Sequence, residues 1–280
     1  MVLSLGAAAA ILVSMPASGA KRGKGLRAAS ATASAVGAFN VATATARCPG
    51  KTKAVAGGYS TSLPSMPGHW LNVYESQRIG QNRWRVSGVE YFPAPAADTL
   101  TAYVYCERLK TKVKAVPTGV PLTTTPHGAT SVLSICPSGS RALSGGFVTP
   151  ASNAVGASYV SRSTAVGQNG WVVDTTNLAG MAARTIFGYV YCARVGKAPR
   201  RSASVAVLGP ANSFRTVITP ACPGKTRARG GGFATSAPVA GLLGTALVYE
   251  TKRAGRSWRT SASASSNTTS STMVGTSLCR

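Results

Sequence analysis

Six cysteines, two histidines and six carboxylates are the side chains in this 280-residue sequence with covalent, acid–base or metal chemistry to offer. Only the cysteines fall in a pattern. Cys48, Cys136 and Cys222 are each followed by Pro, and the pairs Gly57-Gly58, Gly145-Gly146 and Gly231-Gly232 stand nine and ten residues later. Trp84, Trp171 and Trp258 follow the same cysteines by 36, 35 and 36 residues, and Cys106, Cys192 and Cys279 by 58, 56 and 57. A register kept this closely marks a triplicated unit. The chemistry it offers is oxidation. Six cysteines allow fifteen pairings, and the repeat favours the three within units: Cys48–Cys106, Cys136–Cys192 and Cys222–Cys279. Each bridge would stabilise by about 4 kcal/mol through loop-closure entropy. Zinc is poorly served, because no two cysteines are near neighbours in sequence and only His69 and His127 could assist.

The remaining reactive side chains form no catalytic constellation. Gly50-Lys51-Thr52 and Gly224-Lys225-Thr226 mimic the tail of a phosphate-binding loop, but the glycine that motif needs is replaced by Thr45 and Thr219. Neither His69 nor His127 recurs in another unit, and the sequence has no Gly-x-Ser-x-Gly elbow. The acids are Glu75, Glu90, Asp98, Glu107, Asp174 and Glu250. Of these only Glu75 and Glu250 share a repeat position, which Arg162 occupies in the second unit. Tyr74-Glu75-Ser76 and Tyr249-Glu250-Thr251 read as strands carrying a cross-strand ion pair. Scattered acids do not make a calcium site. The expectation is a non-enzyme without cofactor or metal, and a hydrolase is left with no residues to name.

The elements that would position these residues are strands. Short alternating runs bounded by Gly, Pro, Asn and Ser indicate an all-β chain with about six strands per unit. In the third unit they are expected at Ala203–Leu208, Phe214–Ala221, Ala228–Thr235, Ala246–Lys252, Ser257–Ala264 and Met273–Cys279. Asn169-Gly170 reads as a hairpin turn with positive φ, and the glycine pairs as bulges or places of close backbone approach. In Ala102-Tyr103-Val104-Tyr105-Cys106 a period of two sets the tyrosines on one face and the cysteine on the other. Gly188-Tyr189-Val190-Tyr191-Cys192 repeats this, whereas Gly275-Thr276-Ser277-Leu278-Cys279 drops both tyrosines. The tyrosines and the tryptophans read as packing residues. The stretches at Lys112–Val116 and Ser204–Leu208 match Thr32–Val36 and are taken as first strands. The expected organisation is residues 1–20 as a leader and repeats at 28–110, 111–197 and 198–280. The fold class is all-β: three tandem six-stranded antiparallel sandwich- or prism-like units with pseudo-threefold symmetry and one disulfide each.

Residues 2–15 are apolar and small, and Pro16-Ala17-Ser18-Gly19-Ala20 ends in a signal-peptidase pattern. Together with the disulfides this predicts a secreted protein, extracellular or cell-wall associated, with no transmembrane segment. The net charge is +24, and all 30 basic residues follow Ala20. They begin at Lys21-Arg22-Gly23-Lys24 and recur at Lys110, Lys112, Lys114, Lys197, Arg200 and Arg201. Lys225, Arg227 and Arg229 line the third Cys-to-Gly segment, and Lys252, Arg253, Arg256 and Arg259 cluster near Trp258. These last seven are the candidate polyanion contacts. A field of this sign attracts extracellular polyanions or anionic cell-wall polymers without specifying a nucleic acid; a high-GC codon bias would give the same composition. The alternative partner is a glycan bound, lectin-like, through aromatic and Asn/Thr side chains. Asn267-Thr268-Thr269 is a glycosylation sequon by pattern. The chain is expected to be a monomer with internal trimer-like packing.

Cys-Pro-Gly-Lys-Thr-Lys-Ala-Val-Ala-Gly-Gly-Tyr, followed by Trp and then Thr-Ala-Tyr-Val-Tyr-Cys, resembles a repeat of secreted, mostly uncharacterised actinobacterial proteins. The resemblance spans nearly all of the chain beyond the leader, in three copies; the second copy departs from it, with Ser138-Gly139 after Cys136-Pro137. That family implies no catalytic residues. The threefold Cys-Pro…Gly-Phe…Thr-Ala…Cys order is also similar to vitelline membrane outer layer proteins. Their repeats are shorter and more acidic, and the likeness implies threefold β-prism packing.

Overall fold

The computed structural model describes residues 26–35, 40–62, 71–90, 98–150, 158–177, 184–196, 199–208, 213–236, 246–264 and 271–280. Residues 1–20, expected to be a leader, and Lys21–Lys24, His69, Lys197 and the sequon at Asn267 lie outside these residues. Unit 1 forms β1 (Arg27–Ala35), β2 (Val41–Arg47), β3 (Lys53–Thr61), β4 (Leu71–Ile79), β5 (Arg83–Glu90) and β6 (Asp98–Glu107). Unit 2 forms β7 (Lys114–Pro121), β8 (Ala129–Ile135), β9 (Arg141–Val148), β10 (Ser158–Val166), β11 (Gly170–Asn177) and β12 (Thr185–Ala193). Unit 3 forms β13 (Arg200–Leu208), β14 (Phe214–Ile218), β15 (Ala228–Thr235), β16 (Ala246–Ala254), β17 (Ser257–Ala264) and β18 (Ser271–Cys279). The expected strands of unit 3 are all present; β14 stops three residues short, before Pro220. The hairpin turn of unit 2 differs from expectation. Its positive φ belongs to Gly167 at 57°, matching Gly80 and Gly255 in the other units, while Gly170 already begins β11.

The six strands of a unit do not close on themselves. All three sheets are six-stranded, with orders β1-β6-β3-β16-β17-β14, β2-β5-β4-β9-β12-β7 and β13-β18-β15-β10-β11-β8. Each unit therefore gives its first, sixth and third strands to one sheet and its second, fifth and fourth to the next. The result is a three-walled prism. Edge strands of neighbouring sheets, β1 with β2, β7 with β8 and β13 with β14, pack at its corners. The alternation in β2 shows how sequence selects the inner face: Ala42, Ala44 and Ala46 are buried while Val41, Thr43 and Arg47 point outward. The bridges Cys48–Cys106, Cys136–Cys192 and Cys222–Cys279 have Cα separations of 5.7, 5.7 and 5.4 Å. Each joins a cysteine that follows a unit's second strand, directly for Cys48 and Cys136 and four residues on for Cys222, to its sixth strand, so it staples two walls within one unit.

Along the axis the glycine pair does two different jobs. A Cβ on the first glycine would enter the tryptophan of the same unit: 2.0 Å from Trp84 at Gly57, and 2.2 Å from Trp171 at Gly145 and from Trp258 at Gly231. Each indole Nε1 donates to a hydroxyl of its own unit: Ser76 at 3.1 Å, Ser163 at 3.0 Å and Thr251 at 2.8 Å. The second glycine then lies on the carbonyl of that same residue from the neighbouring unit. A Cβ at Gly58 would meet Thr251 O at 2.1 Å, at Gly146 Ser76 O at 2.4 Å, and at Gly232 Ser163 O at 2.2 Å. Tryptophan, hydroxyl and glycine thus form a closed relay through all three units. One apolar core runs through them, from Trp84 and Val104 to Trp171, Tyr191, Phe233 and Trp258. The units fold as one body.

Candidate functional site

Strand register sorts the molecule into two unlike ends. Within units the closing cysteine faces the first residue of the first strand: Arg27 opposite Cys106, Lys114 opposite Cys192 and Arg200 opposite Cys279. Between units the ladders are antiparallel with matching offsets, Ser76 opposite Phe147, Ser163 opposite Phe233 and Thr251 opposite Tyr59. All three disulfides consequently lie at one end of the prism. The same end holds the Cys-Pro turns and most of the described cations, including Arg47, Lys51, Arg83, Arg108, Lys110, Lys112, Arg194 and Arg280. The opposite end carries Glu90, Asp98, Arg184 and Arg215.

The seven residues singled out in the sequence all belong to the disulfide end, but they are not equivalent. Lys225 and Arg227 are exposed. Arg253 lies over the Tyr105 ring, 5.4 Å from its centroid. Arg256 turns back onto the carbonyls of Cys222 and Gly224 and clamps the Cys-Pro turn. Lys252 and Arg259 both bind Glu250, at 2.5 and 2.6 Å. Arg229 pairs with Glu107 of unit 1 and donates to Arg280 O at 3.0 Å. Arg229 is the extra residue of a bulge between Ala228 and Gly230. Val55 and Leu143 occupy the same bulged place in units 1 and 2 and are buried. Where two units put an aliphatic side chain at the base of the axis, the third puts an ion pair across the unit 1–unit 3 boundary.

Two hollows open beside the disulfides. One, of about 530 Å³, is lined by Arg200, Gly224, Lys225, Cys279 and Arg280. The other, of about 310 Å³, is lined by Lys112, Lys114, Ser138, Cys192 and Arg194. Arg280, absent from the sequence-derived contacts, is the missed member in unit 3, and Arg194 in unit 2. The signal that finds them is repeat position: a basic residue opposite each closing cysteine, and another one or two residues after it.

The acids are spent internally. Glu75 accepts from Arg85 Nε at 2.6 Å, Ser87 Oγ at 2.7 Å and Gln77 Nε2 at 2.5 Å. Unit 2 reverses the polarity at the same place, with Arg162 Nε 2.6 Å from Asp174. The cross-strand ion pair expected at Glu75 and Glu250 is therefore present in all three units. Among the described residues no group of three His, Cys, Asp or Glu side chains is placed to hold a metal ion. His127 has positive φ, 57°, in the β7–β8 connection.

Most described aromatic residues face inward; Phe187 and Phe214 are exposed, and Tyr74, Tyr103, Tyr189 and Tyr249 are half-buried. Trp84, Trp171 and Trp258 are at most 1% exposed, and Tyr105 and Tyr191 at most 3%. Tyr191 packs edge-on against Trp84 and Tyr105 against Trp258, with centroids 5.3 and 5.5 Å apart. Burial pushes the phenol pKa of Tyr59, Tyr105 and Tyr191 upward, and that of Tyr159 to about 12. These rings are packing residues and present no open face for stacking on a sugar.

The chain matches no protein-family model and no curated protein sequence. Its three disulfides are consistent with an extracellular protein. Among the described residues no helix is long and apolar enough to cross a membrane.

Proposed function

We propose that this protein is a secreted, non-catalytic binding module whose disulfide end engages extracellular polyanions or anionic cell-wall polymers. The observation that carries the reading is the segregation of charge: exposed cations gather at one end, while Glu75, Asp174, Glu250 and Glu107 are each tied to an arginine or lysine. Cations gathered on one surface reinforce each other's field and steer an anionic chain toward it. Two similar hollow-forming corners on one body also raise avidity for a polymer without any new contact type. The burial of Trp84, Trp171 and Trp258 and of Tyr105 and Tyr191 favours this reading over a lectin, because it withdraws these rings from stacking on a sugar.

Retention on polyphosphate, heparin and teichoic-acid resins over a salt series tests it. Retention that persists at about 0.15 M salt and fails toward about 1 M is expected for a clustered, partly desolvated cation surface. Loss of all retention by about 0.15 M, or capture of neutral glycans insensitive to salt, would overturn it.

A further inference from the structure

The three walls share a plan on their inner faces and diverge on their outer ones, as two rungs across the middle of each wall show. In the wall that begins at β1, the outward residues of one rung are Thr32, Thr101, Ser60, Glu250, Ser261 and Thr216, hydroxyls around one carboxylate. The next rung carries Lys252 opposite Arg259. At that place the wall that begins at β2 sets Gln77 opposite Arg85. The wall that begins at β13 sets Thr164 opposite Val172 there, with Leu133 beyond them. Its other rung runs Val205, Val274, Ala234, Arg162, Asp174 and Ser131.

This third wall is apolar at both margins. Val205 and Val207 on its edge strand β13 are 65% and 58% exposed, and Leu133 and Ile135 on the opposite edge strand β8 are 47% and 53% exposed. With Val166 they make up five of the nine large apolar side chains exposed among the described residues, so one wall holds most of them. The charges between the margins are already neutralised: Arg162 Nε lies 2.6 Å from Asp174, which also accepts from Ser131 Oγ at 2.7 Å. Arg201, at the disulfide-end corner of β13, stands on the rim. A monomeric soluble protein rarely leaves so broad an apolar face in water. Strands of seven to nine residues, six abreast at about 4.8 Å, give a face of roughly 750 Å². That is close to the ~800 Å² per partner of a stable interface. The occupant that fits is a second copy. In a chain of net charge +24, copies repel wherever cations face each other, but this wall can be buried against its own image without desolvating an unpaired charge. Because both margins are apolar, a two-fold axis in the plane of the wall lays apolar margin on apolar margin whether it runs along the strands or across them. Two antiparallel sheets pack face to face in this way about 10 Å apart.

We infer that the outer face of the β13-β18-β15-β10-β11-β8 wall is where two copies of this chain associate, in place of the monomer expected from the sequence. The inference is independent of the polyanion reading, and salt separates the two. Added salt screens the repulsion between two strongly basic bodies and so favours an apolar contact between them, whereas it weakens retention on a polyanion. Sedimentation equilibrium of the full chain over about 1–100 μM, at about 0.05 and about 0.5 M sodium chloride, tests it. A monomer–dimer equilibrium that tightens at the higher salt is expected. Val205→Glu and Leu133→Glu, at opposite margins of the wall, should each weaken it about tenfold or more. Val41→Glu, at a comparably exposed valine on the edge of another wall, should leave it unchanged. A chain that stays monomeric at both salts assigns the wall to another partner and overturns the dimer. An association that loosens with salt, or one weakened as much by Val41→Glu, overturns it too. Loss confined to Val205→Glu would place the contact along the β13 edge and overturn the face-to-face pairing.

Discussion

At the junction of units 1 and 2 the Tyr191 hydroxyl accepts the Arg78 amide at 2.8 Å, and the Arg78 guanidinium lies 5.2 Å from the centre of that ring. At the junction of units 3 and 1, Tyr105 and Arg253 repeat the arrangement, at 2.7 and 5.4 Å. At the junction of units 2 and 3 the corresponding places hold Leu278 and Ala165. A side-chain bond there falls on the neighbouring pair, Thr164 to Thr276 at 2.8 Å. All three junctions keep the second glycine and the carbonyl beneath it. The glycine contact is therefore the condition for closing the prism, and the tyrosine–arginine lock is an addition that one junction does without. The lock also brings an arginine to the disulfide end. It adds to the basic residue that all three units place opposite the closing cysteine.

The comparison can be broken most severely at the shared element. Gly58→Ala, Gly146→Ala and Gly232→Ala each drive a methyl group into a backbone carbonyl of the neighbouring unit, which cannot yield as a flexible side chain would. Each should cost about 3 kcal/mol or more, at the top of the range for overpacking. The cost should be similar at all three junctions. Denaturant midpoints of the three variants measure it, and one junction tolerating alanine would show that the walls are not equivalently closed.

A smaller effect is expected at the lock. Tyr191→Phe leaves the buried Arg78 amide without its acceptor and should cost about 1–3 kcal/mol. Tyr105→Phe should cost less, because its bond to Arg253 is only partly buried. The same denaturation series ranks the two; a larger loss at Tyr105 would contradict the burial order. The smallest effect appears with pH. Burial raises the pKa of Tyr59, Tyr105 and Tyr191, so the fold prefers the neutral phenols. A raised folded-state pKa means that this stability is complete below the unfolded value, about 10, and is lost as pH climbs from there toward the folded value. The denaturant midpoint should fall above about pH 10, and less steeply in a Tyr105→Phe/Tyr191→Phe double variant than in the parent.

The disulfides, the glycine pairs, the core tryptophans and the strands were legible because each is written inside one repeat. The exchange of strands between units was not. The contact that decides it, Gly146 on Ser76 O for example, joins residues whose spacing has no signature along the chain. Among the candidate contacts, Lys225, Arg227 and Arg229 alternate as if they shared one face. The bulge between Ala228 and Gly230 breaks that period and turns Arg229 inward to Glu107. Arg256 and the pair Lys252 and Arg259 were likewise found by composition and position, although their acceptors, the Cys-Pro turn and Glu250, can only be assigned from the fold. Arg194 and Arg280 were passed over because they stand singly in sequence and join the other cations only when the strands pair.

The claim on which the functional reading stands is that one end of the prism binds anions and the other does not. Lys225→Glu and Arg215→Glu test it most directly. Both residues are exposed, both lie in unit 3, and each exchange removes the same charge, but Lys225 is at the disulfide end and Arg215 at the opposite one. Measured against polyphosphate at about 0.15 M salt, Lys225→Glu should lower affinity several-fold and Arg215→Glu should leave it close to the parent, because exposed charges more than about 8 Å away are screened. Equal losses from the two exchanges would mean that only net charge matters, and would contradict a binding end.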